Sequence, residues 1–339
     1  MLRAVVLEKK ASEPRLTDID DPESPGRGEV IVKVEAAGVC YRDLLNRKGL
    51  MPRTRYPVVM GHEFSGTVAE VGQDTEEIHV GDRVAGLPHS TCGSCRYCLE
   101  GRENLCRHRL QLGEEINGCW AEYVRVKSRD LVRVPEEVDA AAASIAGCVL
   151  GMIIHALRDQ AKVRSGELVL VTGAGGGVGI HAVMLSKIFG CSVIALTSSA
   201  DKAEQVREAG ADCVVVGADM LSHSVREMTG GEGVDVVLEC VGEPLLEYSL
   251  KSTAWGGRVV LIGNVNVGEA RVPIGYMILR ENALVGSIGT TKTSMAEALS
   301  LVKARLLNPV LTRLPLEKAS DALQLLEKRA SLGRLVLTP

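Results

Sequence analysis

The sequence predicts an α/β protein of two domains, a β-rich, barrel-like domain and a doubly wound parallel-sheet domain. Three observations carry this expectation. Up to about residue 135 the segments are short, β-branched and punctuated by glycine and proline, as in 29–35 (EVIVKVE) and 64–72 (FSGTVAEVG). Beyond an alanine-rich helical stretch that follows Pro135 and runs to about Ala161, apolar strands alternate with longer amphipathic helices. A glycine-rich turn at 173–179 joins one of those strands to a helix.

Element by element, the second region gives a strand at Leu168 to Thr172, a helix from Gly179 to Phe189 and a strand at Ser192 to Thr197. A helix through Gln205 and a strand at Cys213 to Val216 follow. Strands at Val234 to Leu238, Gly257 to Ile262 and Leu284 to Ser287 extend the sheet before a C-terminal helix returns the chain to a last strand at Leu335. The second domain, 150–285, is thus inserted between two parts of the first, 1–149 and 286–339, with a cysteine-bearing lobe at 89–108. The default place for a ligand is the cleft between two such domains.

With 339 residues, 46% hydrophobic and 24% charged, the chain is long enough for two buried cores. A net charge of −4 leaves no basic surplus, so neither nucleic acid nor an anionic membrane is an expected partner. The start at Met1 reads as a first strand rather than a leader. No apolar run is expected to approach the roughly 18 residues of a membrane span, which makes the cytoplasm the default location.

Ten cysteines in such a chain point to metal ligation or buried thiols. Cys92, Cys95, Cys98 and Cys106 stand as Cys-x2-Cys-x2-Cys-x7-Cys, a spacing that lets one loop fold four thiolates around a tetrahedral zinc ion. Two disulfides or an iron–sulfur cluster are the competing readings, disfavoured by the cytosolic setting and by the lack of a second cluster-type run. A site closed by four protein ligands stabilises its lobe and performs no chemistry.

In the turn Gly173-Ala-Gly-Gly-Gly-Val-Gly179, the residues Ala174, Gly175, Gly176, Gly177, Val178 and Gly179 allow a pyrophosphate close to the backbone, and the following helix offers its N-terminal amides. A dinucleotide site that prefers NAD carries an acidic residue about 20 positions on. Thr197, Ser198 and Ser199 stand there instead, with Lys202 close by, and these suit the 2′-phosphate of NADP(H). Asp201 is the objection, and it is expected in the first turn of the next helix.

Gly38-Val-Cys-Tyr-Arg-Asp43, Gly61-His62-Glu63, the four-cysteine lobe, Gly118-Cys-Trp-Ala-Glu-Tyr123 and the glycine turn together resemble the medium-chain zinc alcohol dehydrogenase/reductase family, essentially end to end. The resemblance implies a GroES-like catalytic domain with a Rossmann cofactor domain. It implies Cys40, His62 and Cys148 as ligands of a catalytic zinc, with Glu63 near the ion. Taken alone, Cys148 in an alanine-rich helix would be a small buried hydrophobe. Asp43 is placed to fix the His62 imidazole, or simply to cap a helix. Gly263, Asn264 and Val265 are expected beside the cofactor, and a homo-oligomer, dimer or tetramer, is implied.

The family pattern breaks at Arg42, where a Ser or Thr ordinarily passes the alcohol proton outward; a guanidinium stays charged and cannot do so. A histidine sometimes found three residues further on is Leu45, and Met152 stands where a threonine is common. Tyr41-Arg-Asp-Leu-Leu45, Arg107-His-Arg-Leu110 and Ile262-Gly-Asn-Val265 resemble archaeal acryloyl-CoA reductases of the same superfamily.

The expected function is therefore NADP(H)-dependent, zinc-assisted interconversion of alcohols with ketones or aldehydes, using one catalytic and one structural Zn2+. The alternative is NADPH-dependent reduction of acryloyl-CoA or another 2-enoyl-CoA, in which Arg42 or other cations recognise a CoA-like anion. A cofactor-binding protein without turnover is a third reading.

Overall fold

The computed structural model describes residues 1–75 and 77–339, which divide into two compact units, Met1–Met152 with Gly289–Pro339, and Ile153–Ile288. In the first unit the strands run in the order Leu131–Arg133, Arg83–Gly86, Glu63–Val71, Glu29–Val39, Arg334–Thr338, Leu311–Pro315, with Tyr123–Lys127 also paired to Glu29–Val39. A second sheet joins Arg15–Ile19, Leu2–Leu7 and Val58–Val59. Val30, Val32, Val34, Phe64 and Trp120 are buried in one core, as β-branched and aromatic side chains on a pleated surface should be.

Register does the positioning. Gly38 lies opposite Glu63 in the antiparallel pair, so Cys40, just past one strand, meets His62, just before the other. The C-terminal strand pairs Leu335 with Val39, which brings Arg334 to the same corner.

Asp139 accepts a bond from the Ala141 N–H and starts a helical run that reaches Ala161. By length and composition this run is apolar enough to cross a membrane, against the sequence expectation, but 89% of its most apolar stretch is buried inside the protein. Two π-helical turns, Ala146–Leu150 and His155–Ala161, interrupt it. Such turns re-aim the side chains that follow, and Cys148 lies in the first.

The second unit is a six-stranded, all-parallel sheet in the order Cys213–Val216, Ser192–Thr197, Leu168–Val171, Val234–Glu239, Thr253–Leu261, Ala283–Gly286. The order reverses between the third and fourth of these strands, the switch point where such sheets bind ligands. The strand expected to begin at Gly257 begins at Thr253, because its first residues pair across a register shift with Val234.

Candidate active site and metal centres

Cys40, His62, Glu63 and Cys148 each offer a ligand atom, and these atoms lie within 4.8 Å of one another. Cys148 Sγ and His62 Nε2 are 3.6 Å apart. Two ligands at zinc's bond lengths of about 2.3 and 2.0 Å, at a tetrahedral angle, are about 3.5 Å apart, so the donor set fits the ion in chemistry and in spacing. His62 Nδ1 lies 3.1 Å from Asp43 Oδ1, which leaves Nε2 for a metal. The other Asp43 oxygen accepts from the Cys40 amide at 2.7 Å, so this carboxylate caps the helix Tyr41–Arg47 as well as orienting the imidazole. Burial works against a charged imidazole, but the Asp43 carboxylate outweighs it and lifts His62 to about 10. Cys40 is held well below the usual thiol range, first by the Cys148 thiol and then, against burial, by the Arg334 charge.

Arg334 is the residue the sequence did not reveal. Its guanidinium is buried and grips Glu63 with two nitrogens, Nε at 3.0 Å and Nη2 at closer range. Burial pushes the Glu63 carboxyl up and Arg334 holds it back. A corner that gathers two thiols and a carboxylate thus carries its own cation. Gly38 beside it is obligatory, since a Cβ there would sit 2.0 Å from Glu63 Oε2.

Arg42 is largely committed. Nε donates to Glu114 Oε1 at 2.5 Å and Nη1 to Gln111 Oε1 at 3.2 Å, which fixes the direction of the side chain. Tyr41 is half-buried and packs against the barrel core.

In the lobe, Cys92 and Cys98 stand 3.9 Å apart, Cys95 and Cys98 3.6 Å, and Cys106 and Cys92 3.6 Å. Four thiolates at about 2.3 Å from one tetrahedral ion are about 3.8 Å apart, whereas a disulfide brings sulfurs to about 2.0 Å. All four cysteines are free. The amides of Ser94 and Cys95 draw Cys92 down to about 5, while burial pushes Cys98 up to about 12. A dication is the group that accommodates all four as thiolates.

In the parallel-sheet unit, the glycine turn has the compactness a pyrophosphate needs. The Ala174 amide donates to the Leu196 carbonyl at 2.8 Å, and a Cβ at Gly179 would lie 2.2 Å from the Gly173 oxygen. Gly175, Gly176, Gly177 and Val178 lead into the helix Gly179–Ile188. Thr197 is buried, Ser198 exposed and Ser199 half-buried, and Lys202 is folded so that its Cδ would be 2.7 Å from a Cβ on Gly175. Asp201 is exposed in the 3-10 turn Ala200–Lys202. Gly263, Asn264 and Val265 lie against the turn that follows Val234–Glu239, the Val265 amide donating to the Val241 carbonyl. Glu239 was not foreseen either. Its buried carboxylate accepts from the Thr172 hydroxyl at 2.7 Å and the Val241 and Gly242 amides at 2.9 Å, tying the two loops of the switch point together. The only sequence signal was an acidic residue ending an apolar strand.

The two units match family models described as "Alcohol dehydrogenase GroES-like domain", residues 26–136, and "Zinc-binding dehydrogenase", residues 177–304. The chain belongs to the medium-chain zinc alcohol dehydrogenase family and is a zinc-binding oxidoreductase of that family. Among its relatives, the acryloyl-coenzyme A reductase of Sulfurisphaera tokodaii is 38% identical over 340 residues, covering the whole of both chains. An alcohol dehydrogenase of Geobacillus stearothermophilus is 32% identical, over 99% of this chain and 98% of its own. The solved structure of AibC is similar with a TM-score of 0.92 and 41% identity, over all of this chain and 96% of that one.

Proposed function

We propose that this protein reduces the carbon–carbon double bond of a short 2-enoyl-CoA thioester of the acryloyl-CoA kind, using NADPH. The observation that carries this reading is Arg42, two residues after Cys40 and held by Glu114, where a hydroxyl would serve as a proton relay. The higher end-to-end identity to an acryloyl-CoA reductase, 38% against 32% for the alcohol dehydrogenase, supports it. Carbonyl–alcohol interconversion is the second reading, favoured by the complete Cys40, His62, Glu63 and Cys148 donor set.

When bound, the nicotinamide supplies hydride and a zinc ion supplies a Lewis acid. The chain's own part is to bind and orient. The turn 173–179 presents amides to a pyrophosphate, Asp43 fixes the His62 ring, and Arg334 balances Glu63. Thr197, Ser198, Ser199 and Lys202 would receive a 2′-phosphate. Burial lowers the Lys202 ammonium from its ordinary value, and a 2′-phosphate beside it would act in the opposite direction. In steady-state kinetics, Lys202→Ala should raise KM for NADPH about tenfold and leave KM for NADH within about twofold, roughly one charge-assisted contact; equal effects on both would remove the basis for NADP(H).

We also propose a homo-oligomer, dimer or tetramer, with a second copy against the cofactor unit. Ala283–Gly286 is a sheet edge, and Trp255 in the adjoining strand and Ile274, Ile278 and Leu279 in the helix before the edge are 69–75% exposed. Elution of the chain at the mass of a monomer would contradict this.

The function itself is tested by NADPH oxidation with acryloyl-CoA and crotonyl-CoA against a panel of ketones and aldehydes. Thioester turnover with little carbonyl turnover is expected, and the reverse would return the chain to the second reading.

A further inference from the structure

We infer that Arg42 is a catalytic residue that holds the thioester oxygen of the substrate, and that Glu114 and Gln111 aim it; this rests on the enoyl-thioester reading. Arg42 is the second residue after Cys40, in the helix Tyr41–Arg47. Cys40 is the N-cap of that helix, so Arg42 stands in the first turn that leads away from the ligand. Two of its nitrogens are taken by Glu114 and Gln111, side chains that are themselves buried, while the Arg42 side chain keeps 29% of its own surface exposed. Nη2 has no protein acceptor among the described residues. The loop carrying Glu114 is latched to the same helix a second time, where Asn46 Nδ2 donates to the Gly113 carbonyl at 2.7 Å. A guanidinium held at Nε and Nη1, with Nη2 open between them, is a pre-aimed donor for an oxygen.

The two candidate reactions ask different things of that position. Alcohol oxidation must carry a proton away from oxygen, which suits a hydroxyl and not a guanidinium. In enoyl-thioester reduction, hydride adds to the β carbon and the π pair of the double bond shifts toward the carbonyl. The charge collects on the thioester oxygen as an enolate, and a proton from water then adds to the α carbon. The oxygen begins and ends unprotonated, so it needs a fixed positive charge and no proton shuttle. Arg42 meets that need without losing a proton at any stage, and Glu114 is paired with it at 2.5 Å.

The test compares the wild-type chain with Arg42→Gln and with the double variant Arg42→Gln/Glu114→Gln, using crotonyl-CoA and NADPH. Melting temperature, zinc content and calorimetric binding of butyryl-CoA are measured on the same preparations. The expected result is a fall in kcat of about 100-fold or more in both variants. KM for crotonyl-CoA, butyryl-CoA affinity and zinc content should stay within about threefold, since the interaction is made chiefly in the transition state. A single variant within about threefold of wild type in kcat would overturn the role. Recovery in the double variant would overturn it too, because the loss would then come from a stranded Glu114. A wild-type chain with no crotonyl-CoA turnover would instead overturn the functional reading, and this role with it.

Discussion

Arg334→Met is expected to destabilise the protein by about 3–5 kcal/mol, because it removes the two-nitrogen guanidinium partner of the buried Glu63 carboxylate. Glu63 and Arg334 are both almost wholly excluded from solvent, and each accounts for much of the other's solvation. The melting temperature should fall on the order of 10 °C. The double variant Arg334→Met/Glu63→Gln should regain most of that loss, since a neutral amide costs far less to bury than a carboxylate. Thermal melts of the two variants decide it. Equal losses in both would mean that packing, not charge, explains the sensitivity of this corner. The strand Arg334–Thr338 pairs with Glu29–Val39, so the perturbation also reaches the backbone that presents Cys40.

Cys106→Ser should have an effect of similar size by a different route. Cys106 is the buried member of the lobe's four thiols, and its loss leaves three ligands around one tetrahedral ion. In isolated zinc-binding peptides the ion supplies about 10–16 kcal/mol of folding free energy. Here only the lobe depends on it, so the expected outcome is local: amides of residues 92–106 lose exchange protection while those of the parallel-sheet unit keep it. Bound zinc, counted after denaturation, should fall by one ion per chain. An unchanged zinc count would contradict a metal site at these four cysteines.

Much of this was legible in the sequence because it is local. The strands at 168–171, 192–197 and 213–216 announce themselves as β-branched runs between helices, and the glycine turn needs only its own flanks to be recognised. The four clustered cysteines, and the placing of Asp43 three residues after Cys40, likewise follow from short spacings. What stayed hidden depends on register and on long-range pairing. Arg334 reaches Glu63 only because the last strand is laid antiparallel on Glu29–Val39, and no pattern around residue 334 signals that. Arg42 reads as a loose cation until the 111–114 loop is folded over it. The π-helical turn at Cys148 arises within a run of small apolar residues that would suit an ordinary helix equally well. That run also shows why an apolar stretch does not by itself define a membrane span: the protein's own core covers it.

The account turns on where the hydride goes, and that can be read directly. NADPH carrying deuterium at the transferable position is incubated with the protein and crotonyl-CoA, and the product is examined by NMR and mass spectrometry. The account predicts butyryl-CoA with one deuterium at the β carbon and, in ordinary water, none at the α carbon. Deuterium on the former carbonyl carbon, in an aldehyde or alcohol with the double bond intact, would contradict it.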